Sequence, residues 1–410
     1  MTRTSTVIIG AGQCGLAMSH ALTQRSIDHV VLERGQVANS WREERWDSLK
    51  LLSPNWMNGL AGATYAGDDP DGFMDIPAFL KRFEHRAAQI DAPVQTQTSV
   101  LSVRGSAGAY QVQTDQGAYR ADTVVMANGA CAIPKIPACA ADMPSHIQSF
   151  TPISYKRPGQ LPDGKVLVVG ASASGLQLAR EIQASGRQVI LAVSSHLRFP
   201  RTYRGVDITR WLALTGAISV PHTDVDDLDR VRRTPSLTLV ANETIDLNLL
   251  QSEGVEITGR LVAINDGRAL FSGAVTNMCK AADLKMNRFL DTIDDWVDEI
   301  GPAPMLDPAE RYEATRVPND PRLSIDLARD GIGAVVWATG YTPDFHWLNL
   351  PVFDRKGRLA HDGGVVAPGL YALGLPYMRQ RKSTFVYGAN DDAIALADHL
   401  KTGLDQAKAA

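Results

Sequence analysis

The stretch VLVVGASASGLQLAREI, residues 166 to 182, decides the fold, because an apolar run leads through a glycine-rich turn into a helical pattern. The run Val166 to Val169 is rich in β-branched residues, as expected of a buried parallel strand. Gly170, Ser172 and Gly175 follow at the spacing of a turn between a strand and a helix, which should end near Ala184. The N-terminus of such a helix offers free N–H groups and a positive dipole end, which predicts a dinucleotide pyrophosphate at the turn.

A turn of the same kind opens the chain in VIIGAGQCGLAMSHAL, residues 7 to 22. Gly10 permits the tight turn, Gly12 lets a pyrophosphate approach the backbone, and Gly15 lets the helix pack closely on the strand. The next strand ends in Glu33, whose carboxylate can accept both hydroxyls of an adenosine ribose and would repel a 2′-phosphate. The first turn is therefore predicted to bind FAD or NAD, with Gln13 and Arg34 beside it.

The strand after the second turn ends differently, in Ser194, Ser195 and His196, with Arg198 and Arg201 close behind. Hydroxyl and guanidinium groups suit a 2′-phosphate, since arginine donates a charge-assisted fork and no carboxylate opposes it. We therefore expect NADPH at this turn, with NADH as the alternative. The residues assigned to it are Gly170, Ser172, Ser174, Gly175, Ser195, Arg198 and Arg201.

Together with further segments, these turns resemble the two-dinucleotide-domain flavoproteins, and among them the flavin-containing monooxygenases and their bacterial relatives. The further segments are NSWREERWDSLKLLSPNW (39–56), VVMANG (124–129), VVWATG (335–340) and VYGANDDAIALADHL (386–400). The resemblance covers most of the chain. It implies a permanently bound FAD at the first turn and a visiting NADPH at the second.

The resemblance also implies site residues along the flavin. Residues expected to contact it are Trp41, Arg42, Trp46, Asp47 and Ser48. The two crossovers between the domains, at the ends of VVMANG and VVWATG, are expected to bring the backbone close to a cofactor or a hinge, and the cofactor-binding residues assigned there are Ala127, Gly129, Thr339 and Gly340. Asn55 is expected to be catalytic by helping to hold the oxygenated flavin. A helix beginning near Asn390 is expected to direct its positive end, with Asp391, toward the flavin. The simpler alternatives are core packing for the tryptophans, a turn for Asn55 and helix capping for Asp391.

The predicted fold class is α/β, with two Rossmann-like dinucleotide-binding domains. The FAD domain is expected to be discontinuous, from residues 1–155 and 335–410, with the NAD(P)H domain inserted at 156–334. The inserted domain is longer than one mononucleotide fold requires, and the extra material lies at about 198–321. It includes a predicted amphipathic helix from Val275 to Gly301, for which a lid over the flavin, a dimer contact and plain core packing are the alternatives.

The resemblance implies a monooxygenase in which NADPH reduces the flavin and O₂ then forms a flavin hydroperoxide, which oxygenates a small substrate at nitrogen or sulfur. One family fingerprint is only half present, since His146 and Phe150 fit it while Ala140 and Asp142 do not. The alternatives are therefore an NAD(P)H oxidase or reductase that releases peroxide, and Baeyer–Villiger oxygenation of a ketone. The four cysteines form no CxxC pair, which argues against a disulfide oxidoreductase and a zinc site.

Composition sets the remaining limits. Hydrophobic residues make up 44% and charged residues 21% of the 410 residues, which is typical of a globular protein. A net charge of −4 and only short basic clusters argue against nucleic-acid binding. The apolar strand starts at Val7, too early for a signal peptide, so a cytoplasmic protein without a membrane segment is expected. A small-molecule substrate and O₂ are the expected partners. A homodimer is the default expectation for the oligomeric state, and no motif in the sequence supports it.

Overall fold

The computed structural model of the chain describes residues 1–300 and 306–409. Its helices are α1 (Gln13–Thr23), α2 (Asn39–Glu43), α3 (Ile76–Gln89), α4 (Ala173–Ala184), α5 (Ile208–Leu214), α6 (Leu228–Arg232), α7 (Leu247–Ser252), α8 (Val275–Ile300) and α9 (Val386–Ala409). Its strands are β1 (Thr2–Ile9), β2 (His29–Leu32), β3 (Val94–Gln95), β4 (Val100–Arg104), β5 (Tyr110–Thr114), β6 (Gly117–Met126), β7 (Ile133–Pro134), β8 (Gln148–Phe150), β9 (Lys165–Val169), β10 (Val189–Ala192), β11 (Thr202–Tyr203), β12 (Val206–Asp207), β13 (Leu239–Val240), β14 (Glu243–Thr244), β15 (Glu256–Thr258), β16 (Leu261–Asn265), β17 (Arg268–Phe271), β18 (Ser324–Asp326), β19 (Ile332–Trp337), β20 (Tyr341–Thr342), β21 (Val365–Ala367) and β22 (Leu370–Ala372).

The first sheet takes its strands from both ends of the chain. Its order is β21-β22-β6-β1-β2-β3, and β4 and β5 join it through the antiparallel pairing of β5 with β6. The central strands β22, β6, β1 and β2 are parallel. Helices α1 and α9 pack together, and their apolar residues meet the sheet in one core. The C-terminal helix therefore completes the core that the N-terminal glycine turn begins.

The second sheet has the order β15-β10-β9-β19-β8, and every pairing in it is parallel. The inner strands β10, β9 and β19 are almost continuously apolar and buried, as in sheets covered on both faces. The α/β fold class and the strand–turn–helix character of both glycine-rich segments are thereby confirmed. The domain limits remain a prediction.

The two glycine turns have the same geometry. Gly10 has φ +105° and Gly170 has φ +111°, a region that side chains rarely adopt. A Cβ on Gly15 would lie 1.8 Å from the Gly10 carbonyl oxygen, and one on Gly175 would lie 1.8 Å from the Gly170 oxygen. Only glycine therefore lets each helix approach its strand.

The material between residues 198 and 321 forms no further large sheet in the part the structure describes. It supplies α5 to α8, two short hairpins, the edge strand β15 of the second sheet, and the strands β16 and β17, which pair with β18. The helix expected over residues 275–301 is present as α8, and residue 301 lies outside the described part of the chain. Leu290 and Ile293 on this helix are buried, whereas Leu284 is half exposed.

The last helix begins earlier than predicted. It starts at Val386, not near Asn390, so Asp391 lies in the second turn of α9 and not at its N-terminus. None of the helices within residues 1–300 and 306–409 has the length and apolar character needed to cross a membrane.

Candidate functional site

A cavity of about 1760 Å³ extends between the carboxyl ends of the parallel strands of the two sheets. Its wall includes the first turn after β1, Glu33 after β2, the segment after β6, the second turn after β9 and the segment after β19. Ligands of open α/β sheets bind at this end of the strands, where neighbouring connections diverge. Both predicted dinucleotide sites therefore open into one space.

The first turn presents an open surface to the cavity. A Cβ on Gly12 would meet no atom within 4 Å, so the backbone before α1 is accessible to a ligand. Glu33 is buried, with one carboxylate oxygen accepting from the backbone N–H of Ala11 at 2.8 Å and the other from Gly35 at 3.0 Å. These two bonds fix the carboxylate at the rim of the turn.

Aromatic residues form the wall beside this turn. Trp41 packs edge-to-face on Phe79 with 5.1 Å between ring centroids, and the Arg45 guanidinium lies 5.1 Å from the Trp41 ring. The Trp41 indole N–H donates to the Gln13 side chain at 3.4 Å. The predicted residue Arg34 also borders the cavity and forms an ion pair with Glu44.

The second turn is covered by a segment that sequence reasoning did not assign. The Ser172 hydroxyl donates to the Ser236 carbonyl at 3.3 Å, and the Gln177 amide donates to the Leu239 carbonyl at 3.0 Å. The cavity wall continues through residues 225–237, including Arg230, Arg232 and Arg233.

Most predicted site residues line the cavity. They are Gly10, Gly12, Gln13, Glu33, Arg34, Trp41, Trp46, Ala127, Gly129, Gly170, Ser172, Ser174, Ser195, Thr339 and Gly340. The two crossover segments are equivalent, since Gly129 has φ +83° and Gly340 has φ +95°. The Thr339 hydroxyl donates to the Lys135 carbonyl and ties the crossovers together.

Two predicted phosphate ligands are placed elsewhere, and this corrects the sequence-based assignment. Arg198 is buried and pairs with Asp246 and Asp283, each at 2.8 Å. Arg201 is also buried, pairs with Asp207 at 2.5 Å and donates to the Leu52 carbonyl at 2.8 Å. Neither lines the cavity, so their guanidinium groups do not face a 2′-phosphate.

Asn55 also departs from its predicted role. Its buried amide donates to the Asp69 carbonyl at 2.8 Å and accepts from the Met74 N–H at 3.1 Å, so it holds the loop between these residues. It does not line the cavity, and the turn-like alternative describes it better than a catalytic role.

Further predicted contacts lie outside the cavity wall. Arg42 pairs with Glu84, Asp47 with Arg157, Ser48 donates to Glu181, and Asp391 pairs with Lys382. Gly15 and Gly175 lie behind their turns, where they allow close packing. His146 and Phe150 of the partial fingerprint also lie away from the cavity wall.

The four cysteines are free, and desolvation raises the pKa of each thiol. For Cys14, which lines the cavity, burial and the nearby Asp392 charge raise the pKa to about 12. Because the thiolate is the reactive form, these environments do not favour thiol–disulfide exchange.

Comparisons with known proteins agree with this architecture. A family model described as pyridine nucleotide-disulphide oxidoreductase matches residues 7–212. An uncharacterized CzcO-like oxidoreductase of Geobacillus kaustophilus is 28% identical over 96% of this chain and 97% of its own. A probable indole-3-pyruvate monooxygenase of Arabidopsis thaliana is 29% identical over 58% of this chain and 57% of its own.

Solved structures show the same fold. A flavin-containing monooxygenase from Stenotrophomonas maltophilia matches with a TM-score of 0.68 and 16% identity, over 98% of this chain and 99% of that one. The structure of OTEMO with FAD and NADP matches with a TM-score of 0.56 and 13% identity, over 98% of this chain and 85% of that one. The expected resemblance to two-dinucleotide-domain flavoproteins is confirmed at the level of the fold.

Proposed function

The chain belongs to the pyridine nucleotide-disulphide oxidoreductase family, and from that premise we propose that it is an FAD-containing, NADPH-dependent monooxygenase that oxygenates a small organic substrate at nitrogen or sulfur. The observation that carries this proposal is the shared cavity, which joins both glycine turns to an apolar wall. The monooxygenases among its sequence relatives and structural neighbours support the same reaction class.

FAD fits the first turn. The open backbone at Gly12 and the N-terminus of α1 would hold the pyrophosphate, and the Glu33 carboxylate would accept the ribose hydroxyls. Trp41 and Trp46 would confine the ring system. When bound, FAD supplies the redox and oxygen-activating chemistry, and NADPH supplies the electrons.

The nicotinamide dinucleotide fits the second turn. Ser172 and Ser174 flank the N-terminus of α4, and the segment ending at Ser236 covers it. Ser195 at the end of β10 would meet the ribose. Under this proposal the first sheet belongs to the FAD domain, residues 1–155 and 335–410, and the second mainly to the inserted domain, residues 156–334.

The substrate would occupy an apolar arm of the same cavity. We define the apolar arm by the lining residues Met57, Leu212, Ile218, Leu237, Phe289 and Tyr387. Leu212 on α5 and Phe289 on α8 come from the extra material, which gives that material a part in shaping the site. These side chains would exclude water from the reacting centre and would favour an uncharged, apolar substrate.

Two other reactions are compatible with the same architecture. An oxidase or reductase would use both dinucleotides and release peroxide without oxygenating a substrate. Oxygen insertion into a ketone would use the same cavity, because the apolar arm offers no group that selects nitrogen or sulfur. Disulfide reduction has less support, since Cys14 and Cys279 are buried and all four cysteines are unpaired.

The test is a mass balance on the purified holoprotein with NADPH and methyl phenyl sulfide. A monooxygenase consumes one O₂ and one NADPH for each sulfoxide and water formed, and ¹⁸O₂ places the label in the sulfoxide. An oxidase instead releases peroxide in an amount equal to the NADPH consumed. A tertiary amine and a cyclic ketone, assayed alongside, distinguish the oxygenated atom.

The apolar arm is tested with Leu212→Trp, which fills it, and with Leu214→Trp on the exposed side of α5 as the matched control. We expect L212W to lower sulfoxide yield per NADPH while L214W leaves the yield unchanged. Equal yields in the two variants would contradict the assignment of the arm.

A further inference from the structure

The end of β10 needs a source of positive charge if the second turn takes NADPH, because the two predicted arginines are engaged elsewhere. Arg198 and Arg201 are paired with carboxylates outside the cavity wall. The imidazole of His196 is buried, which lowers its pKa and keeps it neutral near pH 7. The cations must therefore come from neighbouring elements.

The neighbouring strand brings an arginine to this position. Strand β15 runs parallel beside β10 with Thr258 opposite Ala192, and the Val193 N–H donates to the Thr258 carbonyl at 2.9 Å. Arg260 follows two residues after the end of β15, just as Ser194 follows β10. Its side chain is exposed and lines the cavity together with Ser194 and Ser195.

Helix α8 brings a lysine to the same place. Lys285 lines the cavity, is exposed, and lies close enough to His196 for its charge to lower the pKa of that imidazole. Within residues 1–300 and 306–409, neither Lys285 nor Arg260 forms an ion pair or donates a side-chain hydrogen bond to another residue. Both cations are therefore available to a ligand.

The local charge is opposite to that of the first turn. There the strand after the turn ends in the Glu33 carboxylate. At the second turn, the ends of β10 and β15 contribute two hydroxyls and a guanidinium to the cavity wall. They contribute no carboxylate in the part of the chain that the structure describes. A phosphate dianion is favoured by this arrangement and opposed by the first.

We propose that Arg260 and Lys285 form a phosphate subsite that binds the 2′-phosphomonoester of the dinucleotide at the second turn. Arg260 supplies a planar fork and Lys285 a mobile point charge, and the hydroxyls of Ser194 and Ser195 complete the donor set. The inference rests on nicotinamide-dinucleotide binding in the proposed function, but it does not depend on whether a substrate is oxygenated.

The test is calorimetric binding of adenosine 2′,5′-bisphosphate and of 5′-AMP to the FAD-loaded protein, repeated with NADP⁺ and NAD⁺. The two members of each pair differ only in the 2′-phosphate. We expect the wild-type protein to prefer the 2′-phosphorylated member by about a hundredfold. We expect Arg260→Ala and Lys285→Ala each to lose about tenfold of that preference, and the double variant to lose all of it.

Two variants serve as controls. Lys280→Ala removes an exposed lysine of α8 that does not line the cavity, and it should keep the preference. Arg230→Ala removes a cavity cation from the segment covering the second turn. Unchanged binding of 5′-AMP reports that each variant is folded.

Three results would overturn the proposal: no preference in the wild type, a preference retained in the double variant, or a loss in Arg230→Ala without one in Arg260→Ala. Inorganic phosphate, titrated alone, should bind far more weakly than the bisphosphate. Equal binding would identify an unspecific anion site and would also refute it. If the sulfoxide assay fails while these binding results are obtained, the oxygenation reaction is refuted and the phosphate subsite is not.

Discussion

Asp392 is a buried carboxylate that the fold tolerates at a cost in stability. It lies in α9 with 3% of its surface exposed, and one of its oxygens has no hydrogen-bond partner. The nearest cation is Arg379, whose Nε lies 3.9 Å away. Burial, partly offset by the Ser383 hydroxyl and Arg379, raises the pKa from 3.8 to about 6.

The direction and size of the effect follow from this pKa. The folded state binds this proton more tightly than the unfolded state, so the destabilising contribution of Asp392 is absent below about pH 4. Stability falls as the pH rises from about 4 to 6 and Asp392 ionises. A shift from 3.8 to about 6 is roughly two pKa units, which corresponds to about 3 kcal/mol lost at neutral pH.

The perturbation is Asp392→Asn, which keeps the shape of the side chain and removes the charge. We expect the free energy of unfolding to rise by up to about 3 kcal/mol at pH 7.5 and to change little at pH 4. Urea denaturation of the FAD-loaded protein, followed by circular dichroism at both pH values, measures the difference.

The adjacent residue provides the control. Asp391 is more than half exposed and pairs with Lys382 at 2.6 Å, so Asp391→Asn should lose no more than about 1 kcal/mol at pH 7.5. If D392N is less stable than the wild type at pH 7.5, or gains equally at pH 4 and pH 7.5, the assignment of an unfavourable buried charge is wrong.

Two further predictions concern the turns and the misassigned arginines. Gly15→Ala places a Cβ against the Gly10 carbonyl and should lower the free energy of unfolding by about 1–3 kcal/mol or more. A Cβ in Gly12→Ala meets open space, so this variant should melt at the wild-type temperature. It should nevertheless retain less FAD, as measured by the flavin absorbance of the purified protein. Normal melting of G15A would refute this packing. Arg201→Met removes the ion pair of the buried Arg201 with the partly exposed Asp207 carboxylate, which keeps its bonds from Thr209, and should lower the free energy of unfolding by about 1–3 kcal/mol while NADP⁺ and NAD⁺ are discriminated as in the wild type. A loss of that discrimination in a folded R201M protein would return Arg201 to the phosphate site.

The parts of the fold that were predictable depend on local sequence alone. A β-branched run followed by Gly10, Gly12 and Gly15 encodes a strand, a turn and a helix within about 20 residues, because the helix packs at Gly15 on the Gly10 carbonyl, only five residues earlier. The same holds for the second turn. The class of the fold then followed from having two such units.

The errors arose where a side chain's partner is distant in sequence. Arg198 follows β10 at a position suited to a phosphate, but its ion pairs are with Asp246 and Asp283, 48 and 85 residues away. Asn55 was misassigned for the same reason, since its amide is satisfied by a loop 14 and 19 residues downstream. Motif spacing contains no information about such partners.

Arg260 was missed although a signal for it exists. The segment VEITGR, residues 255–260, follows the helix α7 and alternates the β-branched apolar residues Val255 and Ile257 with polar ones, so it repeats the helix-to-strand step of a parallel unit. Recognising β15 as the neighbour of β10 would have placed Arg260 at the ligand end of the sheet. The pairing itself, however, joins residues more than 60 positions apart and is fixed only by the packed core.

The two dinucleotide sites are distinguished by charge and not by their glycines. Both turns share the same backbone conformation, so either could cradle a pyrophosphate. Under the two proposals, Glu33 at the strand end beside the first turn would accept free ribose hydroxyls and repel a 2′-phosphate. At the corresponding end beside the second turn, Arg260 and Lys285 would gain their full interaction only with a phosphorylated ribose. FAD has no 2′-phosphate and NADPH has one. Each ligand would therefore be favoured at one turn and disfavoured at the other, so that a single cavity would take both without exchanging them.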